Sequence, residues 1–561
     1  MNSMELYRHW LNCVKDEALL RELTALEGRE EEISDRFYRE LEFGTGGLRG
    51  VLGAGSNRMN IYTVAKATQG YANYLNAHFA VPSAAISYDS RINSELFART
   101  AAAVFAANDV SVRIYPRLMP TPALSFAVRE LGCSGGVMIT ASHNPAEYNG
   151  YKVYGSDGCQ ITSEAAAEIQ RNINEVDPFA DVRWGSFEEL SDAGRISYIG
   201  EDTVDAYLAA VGALSLLPQD TEKNLSIVYT PLCGAGISCV PRVLREHGFT
   251  DIVIPSEQGT PDGRFPTCPS PNPELREALE VGLQTARETH SDLLIATDPD
   301  SDRVGIAVRD GEDYTLLNGN ETGTLLFDFI CRMRLENGTM PAAPVAVKTI
   351  VTTPMAEAVA KNYRVELLNV LTGFKYIGEQ IGLLERKGEA ERFVFGFEES
   401  YGCLCGSYVR DKDAVSAALL ICEMFVWYRQ QGETLVQALR ELYERYGYYR
   451  TKLLTFSFPG EAGFAEMTAR MAALRRCPPA ELGGLPVRST VDYESNDTGL
   501  PRADVLRFLL ETGEAVVRPS GTEPKLKIYL TAWGFGEAEC DDMIGKLSAF
   551  FERWAVEDSI Q

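Results

Sequence analysis

The sequence predicts an α/β protein made of three similar α/β units with mixed sheets and a smaller C-terminal α+β unit. Three observations lead there. Short apolar runs alternate with helical patterns at the spacing of βαβ units, which implies parallel or mixed sheets covered on both faces. The length of 561 residues fits three or four domains at about 150 residues each. An apolar content of 45% can furnish several cores. The units are expected at residues 1–215, 216–318, 319–445 and 446–561.

Residues 4–42 read as helices of mixed charge. Phe43-Gly44-Thr45-Gly46-Gly47-Leu48-Arg49-Gly50 then reads as a glycine-rich loop. No strand is read before it and the G-x-G-x-x-G spacing fails at Arg49, so it is a poor dinucleotide loop. Small residues around one arginine suit a close approach to a phosphate. A strand at 84–88 ends in Asp89-Ser90-Arg91, a helix covers about 93–107, a strand covers 112–115, and Pro120-Thr121-Pro122 opens another helix. The apolar strand at 135–139 runs into Thr140-Ala141-Ser142-His143-Asn144-Pro145, where Asn144-Pro145 marks a turn. Ser142 is thus a hydroxyl at the end of a core strand, fit either for presentation to a ligand or for plain solvation and capping. His143, one of five histidines, adjoins it, and Asn149-Gly150-Tyr151-Lys152 is a turn followed by a cation that could return toward the serine. Helices near 164–173 and 203–212 close this unit.

The second unit carries strands at 225–229, 251–254 and 292–296 and a long Pro-rich loop at 259–273. Its third strand leads into Thr297-Asp298-Pro299-Asp300-Ser301-Asp302-Arg303. Three carboxylates at alternate positions repel one another unless a cation sits among them, and their oxygens suit a hard metal such as Mg²⁺. A solvated acidic turn is the plain alternative. An EF-hand fits poorly, because Arg303 and Arg309 stand where that loop needs Gly and Glu.

In the third unit a helix at 321–334 and a strand at 345–350 precede the turn Leu371-Thr372-Gly373-Phe374-Lys375. A strand at 393–397 ends in Glu398-Glu399-Ser400-Tyr401-Gly402, and Arg410-Asp411-Lys412-Asp413 precedes an apolar helix at 414–427. A helix at 435–448 leads to the last unit, with a strand at 452–456, a helix at 463–475 and an apolar stretch at 505–510 that reads as strand or short helix. Arg518-Pro519-Ser520-Gly521-Thr522-Glu523-Pro524-Lys525 can surround a phosphate with charge-assisted hydrogen bonds, or form a hairpin turn with incidental charge.

A net charge of -26 argues against nucleic acid or an anionic membrane as a partner, and no run approaches the length of a membrane helix. Cations for an anionic ligand must therefore be gathered locally. The twelve cysteines are scattered, with Cys403 and Cys405 the close pair, and the N-terminus lacks a signal-peptide core. A cytoplasmic protein with reduced thiols is expected.

T-A-S-H-N-P at 140–145 followed by N-G-Y-K at 149–152 resembles the phosphoserine loop of the α-D-phosphohexomutases, the phosphoglucomutase/phosphomannomutase family. D-x-D-x-D-R at 298–303, G-F-E-x-S at 396–400 and R-P-S-G-T-E-P-K at 518–525 resemble three further family motifs in order, so the resemblance spans nearly the whole chain. It implies four domains around a central cleft. It implies that Ser142 carries a phosphoryl group, with His143, Lys152 and Arg49 in the catalytic surroundings. Asp298, Asp300 and Asp302 would hold Mg²⁺, to which the phosphate on Ser142 adds an oxygen. Arg303 would face the transferred phosphoryl. Thr372, Gly373, Lys375, Glu398 and Ser400 would meet the sugar, and Arg518, Ser520, Gly521 and Thr522 would grip the phosphate not being transferred. One departure stands out: some members have a histidine for proton transfer where this chain has Phe374. Lys412, in R-D-K-D-A, matches a lysine of the glucomutase-type branch and is the preferred substitute, with Lys375 and Lys152 as alternatives.

The resemblance therefore implies a phosphosugar mutase, interconverting glucose 1-phosphate and glucose 6-phosphate through glucose 1,6-bisphosphate, as a monomer or homodimer. N-G-Y-K-V-Y and T-G-F-K also resemble the phosphopentomutase branch, and mannose 6-phosphate is a further candidate. A sugar phosphatase would use the same serine and metal but release phosphate. A non-catalytic sugar-phosphate binder would have no need of Ser142 together with three metal aspartates.

Overall fold

The structure is a computed structural model and describes residues 2–43, 47–458, 460–495, 497–520 and 525–556. The chain divides into two units, Met1–Pro344 with Phe374–Thr434, and Val345–Gly373 with Leu435–Gln561.

The first unit opens with three short helices, Ser3–Cys13, Glu17–Thr24 and Glu30–Phe37. Helices this short need tertiary packing to persist. Tyr7, Trp10, Leu23 and Phe37 supply it, in a core shared with Tyr62. Trp10 meets the rings of Phe37 and Tyr62 edge-on, at 5.8 and 6.0 Å.

A six-stranded sheet follows, built from β1 (Gly47–Val51), β2 (Ser83–Tyr88), β3 (Ser111–Ile114), β4 (Gly135–Ile139), β5 (Tyr148–Gly155) and β6 (Ile196–Tyr198). Its order is β1-β5-β4-β2-β3-β6. β2 runs parallel to β3 and β4, whereas β5 runs antiparallel to β1 and β4, so the sheet is mixed as expected. Both faces are covered, which explains the unbroken apolar runs. Ala84, Ile86, Val137 and Ile139 face one core with Phe97 and Ala101. Ala85 and Met138 face the other way, against Leu124 and Val128 of the helix Thr121–Glu130.

Two expectations are corrected here. Residues 43–50 are not wholly a loop, because Arg49 lies on β1. Lys152 does not merely follow a turn; it lies inside β5. Residues 44–46 lie outside the described residues, and Gly47 and Gly150, which suggested loops, serve close strand approach instead. A Cβ on Gly47 would stand 2.3 Å from the Tyr151 carbonyl oxygen, and one on Gly150 2.4 Å from that of Thr140.

A second sheet comprises β7 (Ile227–Thr230), β8 (Ile252–Val253), β9 (Leu293–Thr297), β10 (Val304–Asp310) and β11 (Asp313–Leu317), in the order β11-β10-β9-β7-β8. β9 and β10 pair antiparallel, so the acidic stretch 298–303 is the connection of a hairpin. The strands Phe393–Phe397 and Cys403–Leu404 also pair antiparallel, which makes Glu398–Gly402 a tight turn closed by the Glu398 N–H donating to the Gly402 carbonyl at 2.8 Å.

In the second unit Val345–Thr349 runs parallel to Glu366–Val370. An antiparallel five-stranded sheet there packs on the helices Gly460–Arg476 and Glu537–Val556, through Phe508, Val517, Ile528, Met471 and Phe551. The stretch 505–510 resolves as the strand Leu506–Leu509, with Leu506 and Phe508 buried and Arg507 between them half-buried. Among the described residues no helix is long and apolar enough to cross a membrane.

Glu385, on the helix Phe374–Arg386, links three elements of the first unit. Its carboxylate accepts from Arg129 of the helix Thr121–Glu130 at 2.7 Å and from Arg410 at 2.8 Å. The hydrogen bond from Arg129, aided by Arg410, pulls the Glu385 carboxyl down to about 2. A carboxyl depressed in the folded state adds stability that is present above its unfolded value and lost as pH falls through the folded one. Glu385→Gln is therefore expected to lose stability at neutral pH and to show a shallower decline in melting temperature as pH falls from about 4.5 toward about 2. Superimposable melting-temperature profiles for variant and wild type would refute the link.

Candidate active site

β4 ends at Ile139, and the chain beyond it is turned by local hydrogen bonds. The Ser142 N–H donates to Thr140 Oγ1 at 2.7 Å, and Ser142 adopts φ +52°, a left-handed conformation uncommon for a non-glycine residue. The residue is only 3% exposed. Its hydroxyl donates to Asp298 Oδ2 at 2.6 Å and lies 3.2 Å from His143 Nδ1.

Asp298 organises its own loop. Its Oδ1 accepts the N–H groups of Asp302 at 3.1 Å and Arg303 at 3.0 Å, while Ser301 takes φ +52° to bring them round. Thr121, at the start of its helix, holds Asp300 twice: its N–H donates to the Asp300 carbonyl at 2.8 Å and its Oγ1 to Oδ2 at 2.9 Å. Asp298, Asp300 and Asp302 are 0%, 0% and 2% exposed, so the stretch is not a solvated acidic turn. One oxygen from each lies within 4.8 Å of the others.

Such a cluster needs positive charge. Lys152 Nζ, from β5, lies 2.8 Å from Asp300 Oδ2 and 3.3 Å from Asp302 Oδ2. Lys412 Nζ lies 3.2 Å from Asp302 Oδ2 and 3.1 Å from Asp411 Oδ1. Burial, reinforced by the two neighbouring carboxylates, pushes the Asp298 carboxyl well above the usual range. Burial acts the same way on Asp300, but Lys152 overrides it and holds that carboxyl below the usual range. Lys412 would be lowered by burial, yet Asp302 and Asp411 keep its ammonium charged. Asp300 Oδ1 and Asp302 Oδ1 remain buried without a hydrogen-bond partner. Two orphaned carboxylate oxygens in an all-oxygen cluster fit a hard divalent cation.

The other expected residues fall into two groups. In the first unit, Arg49 Nη1 donates to Asn144 Oδ1 at 3.1 Å, on the serine loop. Arg303 Nη1 donates to Glu274 Oε1 at 2.8 Å and to the Ser400 carbonyl at 3.1 Å. With the Val304 N–H donating to the Tyr401 carbonyl at 3.0 Å, this ties the acidic loop to the turn bearing Glu398 and Ser400. Lys375 is buried near the start of its helix, and its carbonyl accepts from Cys159 Sγ at 3.4 Å. Phe374 packs its ring 5.4 Å from Lys412 Nζ. Thr372, Gly373, Arg518 and Ser520 belong to the second unit, while Gly521 and Thr522 lie outside the described residues. There, Thr372 Oγ1 is buried without a hydrogen-bond partner, Gly373 takes φ +120°, and the Ser520 N–H donates to the Lys525 carbonyl at 2.7 Å.

Sequence reasoning missed Thr121, Glu274, Tyr154 and Asp411. Tyr154 donates to Asp411 Oδ2 at 2.7 Å, and Asp411 Oδ1 in turn accepts the Lys412 N–H at 2.8 Å. The signal for Tyr154 was present: it stands two residues beyond Lys152, on the same face of one strand.

Comparison with known proteins gives a consistent result. Four successive stretches match the phosphoglucomutase/phosphomannomutase descriptions: alpha/beta/alpha domain I over 40–179, domain II over 205–311, domain III over 318–446 and the C-terminal domain over 459–532. A phosphoglucomutase of Staphylococcus haemolyticus is 37% identical over 507 residues, covering 88% of this chain and 91% of its own. One from Staphylococcus saprophyticus is 35% identical over 535 residues, covering 93% and 95%. In fold, the chain resembles the open form of the phosphoglucomutase parafusin from Paramecium, with a TM-score of 0.68 at 17% identity over 93% of this chain and 98% of that one.

Removing a cation from the acidic cluster exposes its cost. Lys152→Met is expected to destabilise the metal-free protein by about 3–5 kcal/mol, because buried carboxylates lose their partner. Added Mg²⁺ should then raise the melting temperature of the variant more than that of the wild type. Equal shifts would mean that the lysine and the ion do not share the same oxygens.

Proposed function

The chain belongs to the phosphoglucomutase/phosphomannomutase family, and on that premise we propose that it interconverts glucose 1-phosphate and glucose 6-phosphate. The reaction passes through phosphorylated Ser142 and a glucose 1,6-bisphosphate intermediate. The observation that carries this reading is the Ser142 hydroxyl, 2.6 Å from Asp298 at the edge of a buried acidic triad faced by two lysines.

Each group answers a need of phosphoryl transfer. A serine ester divides the exchange into two similar transfers. In the first, phosphoserine gives its phosphoryl to the free hydroxyl of the sugar monophosphate: the Oγ–P bond breaks, the sugar O–P bond forms, and the hydroxyl proton is released. In the second, the other phosphate of the bisphosphate returns to Ser142. Asp298, Asp300 and Asp302 would hold a Mg²⁺, which would neutralise charge on the phosphoryl oxygens. Lys412, kept charged by Asp302 and Asp411, is the proton donor for the departing serine oxygen and then accepts the proton of the attacking hydroxyl. Glu398, 6% exposed in its tight turn, offers a carboxylate to sugar hydroxyls, as Ser400 offers a hydroxyl. Leaving such a buried charge unpaired is what would reject an analogue lacking the hydroxyl. Arg518 and Ser520 are proposed to hold the phosphate not in transfer. A cytoplasmic location suits the twelve unpaired cysteines, most of them buried.

A coupled assay with Mg²⁺ and a trace of glucose 1,6-bisphosphate tests the reading. Glucose 1-phosphate is expected to be converted faster than the mannose or ribose ester, without release of inorganic phosphate. Preference for ribose 1-phosphate would instead make the enzyme a pentomutase, and stoichiometric phosphate release a phosphatase. Ser142→Ala should fold normally and lose turnover by more than about 10³-fold; near-normal turnover would end the phosphoserine mechanism. Lys412→Met should lower kcat by about 10²-fold or more, well beyond the effect of Lys375→Met. The reverse order would transfer the proton to Lys375.

A further inference from the structure

The geometry points to Arg91 as the residue that positions the nucleophile, an inference that rests on the phosphoserine reading of Ser142. Arg91 lies just beyond β2, is 3% exposed, and directs its hydrogen bonds and ion pair to backbone carbonyls and Asp89 and not to the acidic triad. Its guanidinium instead gathers the backbone of the serine loop. Nη1 donates to the carbonyls of Pro145 and Tyr148, each at 2.9 Å. Nη2 donates to the carbonyl of Ser142 at 2.5 Å and to that of Asn144. All four Nη hydrogens thus serve carbonyls between residues 142 and 148.

The guanidinium is itself fixed on every side. Asp89 Oδ1 accepts the Arg91 N–H at 2.9 Å and the Ser94 hydroxyl at 2.7 Å, while Asp89 Oδ2 lies 3.4 Å from Arg91 Nε. The Phe265 ring lies 5.0 Å from its central carbon, and Arg91 forms a parallel bridge with Gly263. A Cβ on Gly263 would stand 2.4 Å from the Ile92 nitrogen, so the 259–273 loop reaches this turn only as glycine. The same turn anchors β5, since Asn149 Nδ2 donates to the Ile92 carbonyl at 2.9 Å and to Ser94 Oγ at 3.0 Å.

This arrangement accounts for an otherwise unexplained conformation. Ser142 sits at φ +52°, which for an L-residue is unfavourable and persists only where the surroundings impose it. A single planar cation bound to the Ser142 carbonyl and to three carbonyls beyond it, with the Ser142 N–H held from the other side by Thr140 Oγ1, imposes it, and so aims Oγ at Asp298. Lysine, with three donors on a tetrahedral nitrogen, cannot span the four carbonyls, although it keeps the charge beside Asp89.

The test is single-turnover phosphoryl transfer. Wild type, Arg91→Lys and Arg91→Met are phosphorylated with glucose 1,6-bisphosphate, and phosphoserine is counted by intact mass. Transfer to glucose 6-phosphate is then followed per phosphorylated site. Both variants are expected to transfer about 10²-fold more slowly per phosphoserine, with KM changed less than about threefold. A role confined to stability would reduce the number of phosphorylated molecules but leave the rate constant of each unchanged, and that result in Arg91→Lys would overturn the inference. Absence of phosphoserine in the wild type would overturn the underlying phosphoserine reading instead.

Discussion

Burying Asp298, Asp300 and Asp302 within reach of one another is the constraint around which the first unit is arranged. Carboxylates removed from water repel strongly, and the chain offsets this from several directions. β5 brings Lys152, the stretch 410–413 brings Lys412, and the start of the helix Thr121–Glu130 brings Thr121. None of these elements is near the triad in sequence. Each is placed by the packing of its own element and meets the acidic loop only in the folded chain. The six-stranded sheet, with both faces dry, is rigid enough to do that.

The cluster that the lysines neutralise is also the one that holds the Ser142 hydroxyl. The oxygen of Asp298 that accepts the Ser142 hydrogen bond sits among carboxylates whose charge is balanced by lysines. In a protein of net charge -26, where carboxylates outnumber cations, Lys152, Lys412, Arg303 and Arg91 are placed within one connected network. Local charge at the site is thereby set independently of the overall field.

Much of this was legible in the residues. Apolar runs such as Gly135–Ile139 and Leu293–Thr297 announce strands buried on both faces, and the motifs at their ends announce Ser142 and the aspartates. β5 was not legible as a strand, because tyrosines, glycines and a lysine interrupt its apolar pattern. β1 was hidden by glycines that resemble a loop until the close approach of Tyr151 is seen. The partners of the site were less accessible still. Thr121 and Asp300 stand 179 residues apart, and no local period records such a contact. Asp411 and Lys412 could be noticed as a charged pair, but not their reach to Tyr154 and Asp302.

Ser142, Ser301 and Tyr401 share a feature that reaches beyond catalysis: all three occupy positive φ without being glycine, at +52°, +52° and +67°. Each holds back roughly 1–2 kcal/mol from the stability of the fold. A search for hardier variants that scored folding alone would be drawn to glycine at these positions. It would gain thermal tolerance by erasing the hydroxyl proposed to receive the phosphoryl group and by loosening the turns that carry Asp302 and Glu398. On the proposed mechanism, ruggedness and turnover are opposed at these residues, and an engineered version would have to look for its extra stability elsewhere.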